Sequence, residues 1–126
     1  MSIDIFADRL ARVRQRFVST LQSRIDDTVA SLDELAAKLP AAAAAAAVGE
    51  AYRCVHGIVG VGPTVGFPAT GRAARGVEDV LRPAQNERRG LSDDEIGLVK
   101  ERLVELRAAA EREMQGFDRD PKVSQQ

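Results

Sequence analysis

A chain of 126 residues, 44% apolar and 29% charged, has the balance of one globular domain with a modest core, not that of a disordered segment. Its formal net charge is −1, with no basic block and no interleaving of aromatic and basic residues, so nucleic-acid binding has no footing. The single cysteine, Cys54, excludes an internal disulfide and suits a reducing compartment. MSIDIFADRL at the N-terminus offers no signal-peptide core, and the alanine run at 41–47 is too short to cross a bilayer. A cytoplasmic protein with no membrane segment is expected.

From Ile3 to Leu39 apolar residues recur at 3, 6, 10, 13, 17, 21, 25, 32, 35 and 39, with Thr28 the one interruption. That three-and-four spacing marks one stripe on a helix. No Gly or Pro lies between, yet the span is long for a globular helix. The reading therefore expects a bend or break at Phe17–Thr20, where Ser and Thr compete for backbone hydrogen bonds. Asp26, Asp27, Asp33 and Glu34 fall off the stripe and read as a solvated face.

Pro40 suits the first position of a second helix, and the alanines after it let helices approach closely. The stripe resumes at Val48, Ala51, Val55, Ile58, Gly62 and Val65. His56, the one histidine, points about 130° from its centre and so faces solvent. A bend is expected at Pro63, and a turn at Gly66-Phe67-Pro68. A third helix carries apolar residues at 73, 74, 77, 80 and 81 among the charges Arg72, Arg75, Glu78, Asp79 and Arg82. Residues 83–91 read as a loop, and Ser92-Asp93-Asp94-Glu95 as a capping box opening the last helix. That helix has its stripe at Ile96, Val99, Leu103, Leu106, Ala110 and Met114. No strand pattern appears. The expected fold is all-α, an antiparallel up-down four-helix bundle with an N-terminal helical extension across one end. It would form a single domain over 1–117, followed by a frayed tail at 118–126.

Most chemistries are excluded by what is missing. One His and one Cys cannot make a zinc site unaided, and two residues apart on a helix they face different ways, so they are no nucleophile–base pair. Gly60-x-Gly62-x-x-x-Gly66 misses the dinucleotide fingerprint by one residue and follows no strand, and no P-loop ending is present. What remains is an exposed imidazole with Gly60 one turn further along the same face.

His56-Gly57-Ile58-Val59-Gly60, followed by Thr64-Val65-Gly66-Phe67-Pro68, resembles the signature of histidine-containing phosphotransfer (HPt) domains. Members read His-x-Leu-x-Gly and then Thr-Phe-Gly-Phe-Pro. Ala73-Ala74-Arg75-Gly76-Val77-Glu78 is similar to the family's Ala-Ala-x-x-Leu-Glu segment. The resemblance implies a four-helix bundle whose His56 accepts a phosphoryl group on Nε2 from a receiver-domain aspartyl phosphate and passes it to another receiver. It implies a receiver-docking face around Tyr52, Arg53, Val59, Gly60 and Pro63. Candidate charge partners for the phosphoryl oxygens are Arg53, Arg72 and Arg75. It implies no kinase activity and no cofactor or metal of the chain's own, Mg²⁺ arriving on the receiver. The partners would be receiver domains of response regulators or hybrid histidine kinases, met by a monomer rather than a dimer. Many members carry Lys one or three residues after the histidine, where this chain has Gly57 and Val59. The alternative is a bundle that docks receivers or other helical partners without carrying phosphate.

Overall fold

The structure, a computed structural model, describes residues 2–36 and 38–119, with side chains over 5–36 and 38–116. Four α-helices follow one another: α1 Ser2–Ala36, α2 Ala41–Val61, α3 Pro68–Glu87 and α4 Asp93–Arg119, with a 3₁₀ turn Gly62–Val65 between α2 and α3. No strand occurs among the described residues. Consecutive helices pack against each other and α4 closes on α1, so the section is a square with no diagonal contact among the described residues. The α1–α4 seam is the loosest, and an apolar groove of about 550 Å³ between Val29, Leu32, Leu103 and Val104 stays open there.

The expected stripes form the core. Phe17, Leu21, Ile25, Leu32 and Leu35 of α1 are buried, as are Val48, Ala51, Val55 and Ile58 of α2. Ala74, Val77 and Leu81 of α3 meet Ile96, Val99, Leu103, Leu106 and Ala110 of α4. Each fully buried aliphatic side chain contributes about 1.5–3 kcal/mol. Thr28, the interruption in the α1 stripe, is buried as well and donates its hydroxyl to the Arg24 carbonyl at 2.8 Å.

Three local expectations are corrected. Helix α1 runs unbroken through Phe17–Thr20. The hydroxyls of Ser19 and Thr20 donate back to the Arg16 carbonyl within the same helix, while buried Phe17 and Leu21 tie both sides to one core. The N-terminal extension is therefore the first turns of α1 itself, which leave Ile5, Phe6 and Val13 exposed. Pro40 is the N-cap of α2, one position earlier than expected. Residues 83–87 are helix rather than loop, with Pro83 inside α3. A proline there costs about 3 kcal/mol, which burial of Leu81 and Ala84 on either side offsets. The chain leaves α3 at Arg88 in a left-handed conformation, φ 53°. Of the expected tail, residues 120–126 lie outside the described residues.

The corner between α2 and α3 is held from several directions. Gly66 sits at φ +93°, where a side chain would be strained. Phe67 is buried, its ring 5.2 Å from that of Phe17. Arg14 donates to the Val65 carbonyl at 2.9 Å, fastening α1 to the same corner. Glu113 of α4 accepts from the backbone N–H groups of Ala69 and Thr70 and from the Thr70 hydroxyl, satisfying donors at the start of α3. Gly71 allows the close approach of α3 to the 3₁₀ turn: a Cβ there would stand 2.8 Å from Pro63 Cδ.

The capping box forms as expected. The Ser92 hydroxyl accepts from Glu95 N–H, and Glu95 accepts from Ser92 N–H at 2.9 Å. Arg89 grips both Glu95 oxygens, and that contact first of all holds the Glu95 carboxyl at about 2, below its ordinary 4.5. A carboxylate depressed by folding stabilises the fold fully above the unfolded value and ceases to as pH falls through the folded one. The melting-temperature gap between wild type and Glu95→Gln should thus be flat above about pH 5 and close as pH falls from about 4.5 to about 2. A gap that does not change with pH in thermal melts would count against the ion pair.

Candidate functional site

His56 lies in the C-terminal half of α2, five residues before its end, on the side that faces α3. Its side chain is 64% exposed, as the angular offset from the stripe requires. One ring nitrogen is engaged: Nδ1 stands 2.9 Å from Oε2 of Glu78, twenty-two residues on in α3. A carboxylate only accepts, so Nδ1 donates in this contact, and in the neutral ring the lone pair then lies on Nε2, on the outward side.

Glu78, one of the charges that the sequence pattern places along the third helix, is a positioning group. Its side chain is only 7% exposed, and both oxygens are used. Oε1 accepts from Arg82 Nη2 at 2.8 Å, while Arg82 Nη1 reaches Asp79 at 2.9 Å. Glu78 foremost, then the Tyr52 hydroxyl and Asp79, raise the Arg82 guanidinium above its ordinary pKa. Buried charge is tolerated when it is paired and bonded in this way. The Tyr52 ring, one turn before the histidine, lies parallel to it at 5.7 Å and 11°. Tyr52, Glu78 and Arg82 thus fix the imidazole from behind and from one side. A signal for Glu78 did exist in the sequence. It is four residues after buried Ala74 and three before buried Leu81, so a carboxylate stands inside the apolar stripe of α3.

The other expected site residues fall as follows. Gly60 is exposed one turn beyond His56, and a Cβ on it would meet nothing within 4 Å. Arg53 and Pro63 are exposed, Tyr52 and Val59 half-buried, and all lie on α2 or the turn after it. Arg53 pairs with Glu50 at 2.9 Å. Arg72 lines the groove between α3 and α4 with Arg102 and Glu105, on the flank away from α2. Arg75 is exposed and shares with Gly71, Glu78 and Arg82 the flank of α3 that meets α2. Cys54 is half-buried, and its thiol is pushed up by burial first and by Asp27 next, the opposite of an activated nucleophile. Among the described residues no group of three or more His, Cys, Asp or Glu side chains could hold a metal ion, and no helix is long and apolar enough to cross a membrane.

The arrangement presents one exposed, oriented imidazole beside the open face at Gly60. No curated protein and no solved structure matches the chain. The family model of the Hpt domain matches residues 12–109, which takes in α2, the corner, α3 and most of α1 and α4, and the chain belongs to the Hpt domain family.

Proposed function

We propose that this protein is a phosphorelay intermediate in which Nε2 of His56 accepts a phosphoryl group from a receiver-domain aspartyl phosphate and returns it to the aspartate of another receiver. Membership of the Hpt family ties the chain to histidine phosphotransfer signalling and, in general, to receiver domains. The observation that carries the finer reading is the Nδ1–Glu78 contact beneath an exposed ring. It supplies the tautomer in which Nε2 is the nucleophile.

In the transfer, the Nε2 lone pair forms the N–P bond as the P–O bond to the aspartate breaks, its electron pair leaving on the carboxylate. The proton stays on Nδ1, and the positive charge gained by the ring is met by Glu78, so no separate base is needed. Transfer of this kind is mostly positioning and charge stabilisation. The Mg²⁺ and carboxylates of the receiver complete the site, and this chain adds no cofactor. The docking face is Tyr52, Arg53, Val59, Gly60 and Pro63, with the chain acting as a cytoplasmic monomer.

The test is incubation with a panel of phosphorylated receiver domains. Acid-labile, base-stable label should appear on the chain and then pass to a second, unphosphorylated receiver. Receivers that bind without transferring label would make the chain a docking bundle instead.

A further inference from the structure

We propose that Arg24 of α1 holds the phosphoryl group on His56, supplying across the helix seam the cation that α2 carries at neither Gly57 nor Val59; this rests on the phosphotransfer reading above. The ring fixes the direction. With Nδ1 turned to α3, Nε2 and anything bonded to it project away from α3. Moving round α2 by about 100° per residue, Gly60 lies about 40° and Gly57 about 100° from His56. Both are on the side reached by turning away from α3. The phosphoryl group would therefore lie over the glycines, towards α1.

Arg24 is the cation that meets it there. Its guanidinium lies against Gly57 so closely that a Cβ on that residue would collide with Nη1. The glycine that replaces a lysine in the family pattern is thus the opening through which α1 delivers an arginine. Among the described residues no hydrogen bond or ion pair engages this guanidinium. Arg53, by contrast, is bonded to Glu50, and Arg82 to Glu78 and Asp79. Its planar fork matches two phosphoryl oxygens, and a partly desolvated seat strengthens such bonds. Arg24 donates to the equatorial oxygens while the N–P bond forms or breaks, and takes no proton.

The experiment uses the full chain and a small donor, phosphoramidate, so that no receiver surface intervenes. Two quantities are read: the rate of labelling, and the first-order loss of label from the purified phosphoprotein. The wild type should label on His56. Arg24→Gln should label about tenfold more slowly and lose label several-fold faster, with an unchanged melting temperature. Arg24→Lys should recover most of both. Gly57→Ala favours the helix but pushes the flexible guanidinium aside, so it should lie between wild type and Arg24→Gln in rate while melting no lower. Wild-type labelling with an indifferent Arg24→Gln overturns the proposal and leaves the phosphotransfer reading standing. A wild type that takes label neither from phosphoramidate nor from any receiver removes both.

Discussion

Neither His56→Asn nor His56→Gln should take up label from a phosphorylated receiver, a loss to background and the largest functional effect expected of any single change. The chain has no second histidine to substitute. The two replacements separate chemistry from structure. The amide nitrogen of Asn occupies nearly the place of Nδ1 and can still donate to Glu78. That of Gln falls nearer the place of Nε2 and leaves Glu78 Oε2 short of its 2.9 Å partner. A hydrogen bond to a charged group is worth about 1.5–3 kcal/mol. Because Arg82 still holds the other oxygen, Gln should cost about 1 kcal/mol, the low end or below, and Asn less. Label on either variant would show that another residue accepts the phosphoryl group. A variant that fails to fold would mean that His56 is a core support rather than a presented nucleophile.

Gly60→Leu should leave a protein at least as stable as wild type that accepts phosphate on the order of 10²-fold more slowly. The stability half follows from the backbone. Leucine is the better helix former by most of 1 kcal/mol, and a Cβ on Gly60 meets nothing within 4 Å. The rate half follows from the same empty space, which in the proposed transfer is where the receiver lies to bring phosphorus in line with Nε2. Misplacing reacting atoms by about 1 Å costs about 10²-fold. Thermal melting and label transfer on one preparation give both numbers. Unchanged transfer would mean that receivers do not approach over Gly60, and the non-transferring bundle would become the better account.

Local periodicity was enough to read the helices, the buried stripes and the exposure of His56. Each depends on residues three or four apart, and 3.6 residues per turn does the rest. Features decided by distant contacts were not legible. Pro83 looks like an end because its penalty is local, whereas the burial of Leu81 and Ala84 that overrides it depends on the packed bundle. Ser19 and Thr20 look like a joint because their competing bonds are local. The helix continues because Phe17 and Leu21 are anchored in one core. Glu78 resembles the other charges of its segment, and only the imidazole from α2 and the guanidinium one turn on make a buried carboxylate stable there. Arg24 is the extreme case. Nothing in its neighbourhood along the chain points to Gly57, thirty-three residues away, and the juxtaposition exists only once α1 lies beside α2.

The contact between Nδ1 and Glu78 has a regiochemical consequence as well. Free histidine exposes both ring nitrogens to an electrophile, so chemical phosphorylation can give either of two phosphohistidine isomers. In the folded chain the nitrogen nearer the backbone is bonded to a carboxylate that is 7% exposed, and the outer one alone is open. Any donor, however small, is thereby restricted to the outer isomer for as long as α3 stays seated on α2. The isomer ratio becomes a chemical gauge of that seam: one product from the native bundle, a mixture once denaturant lifts the carboxylate away.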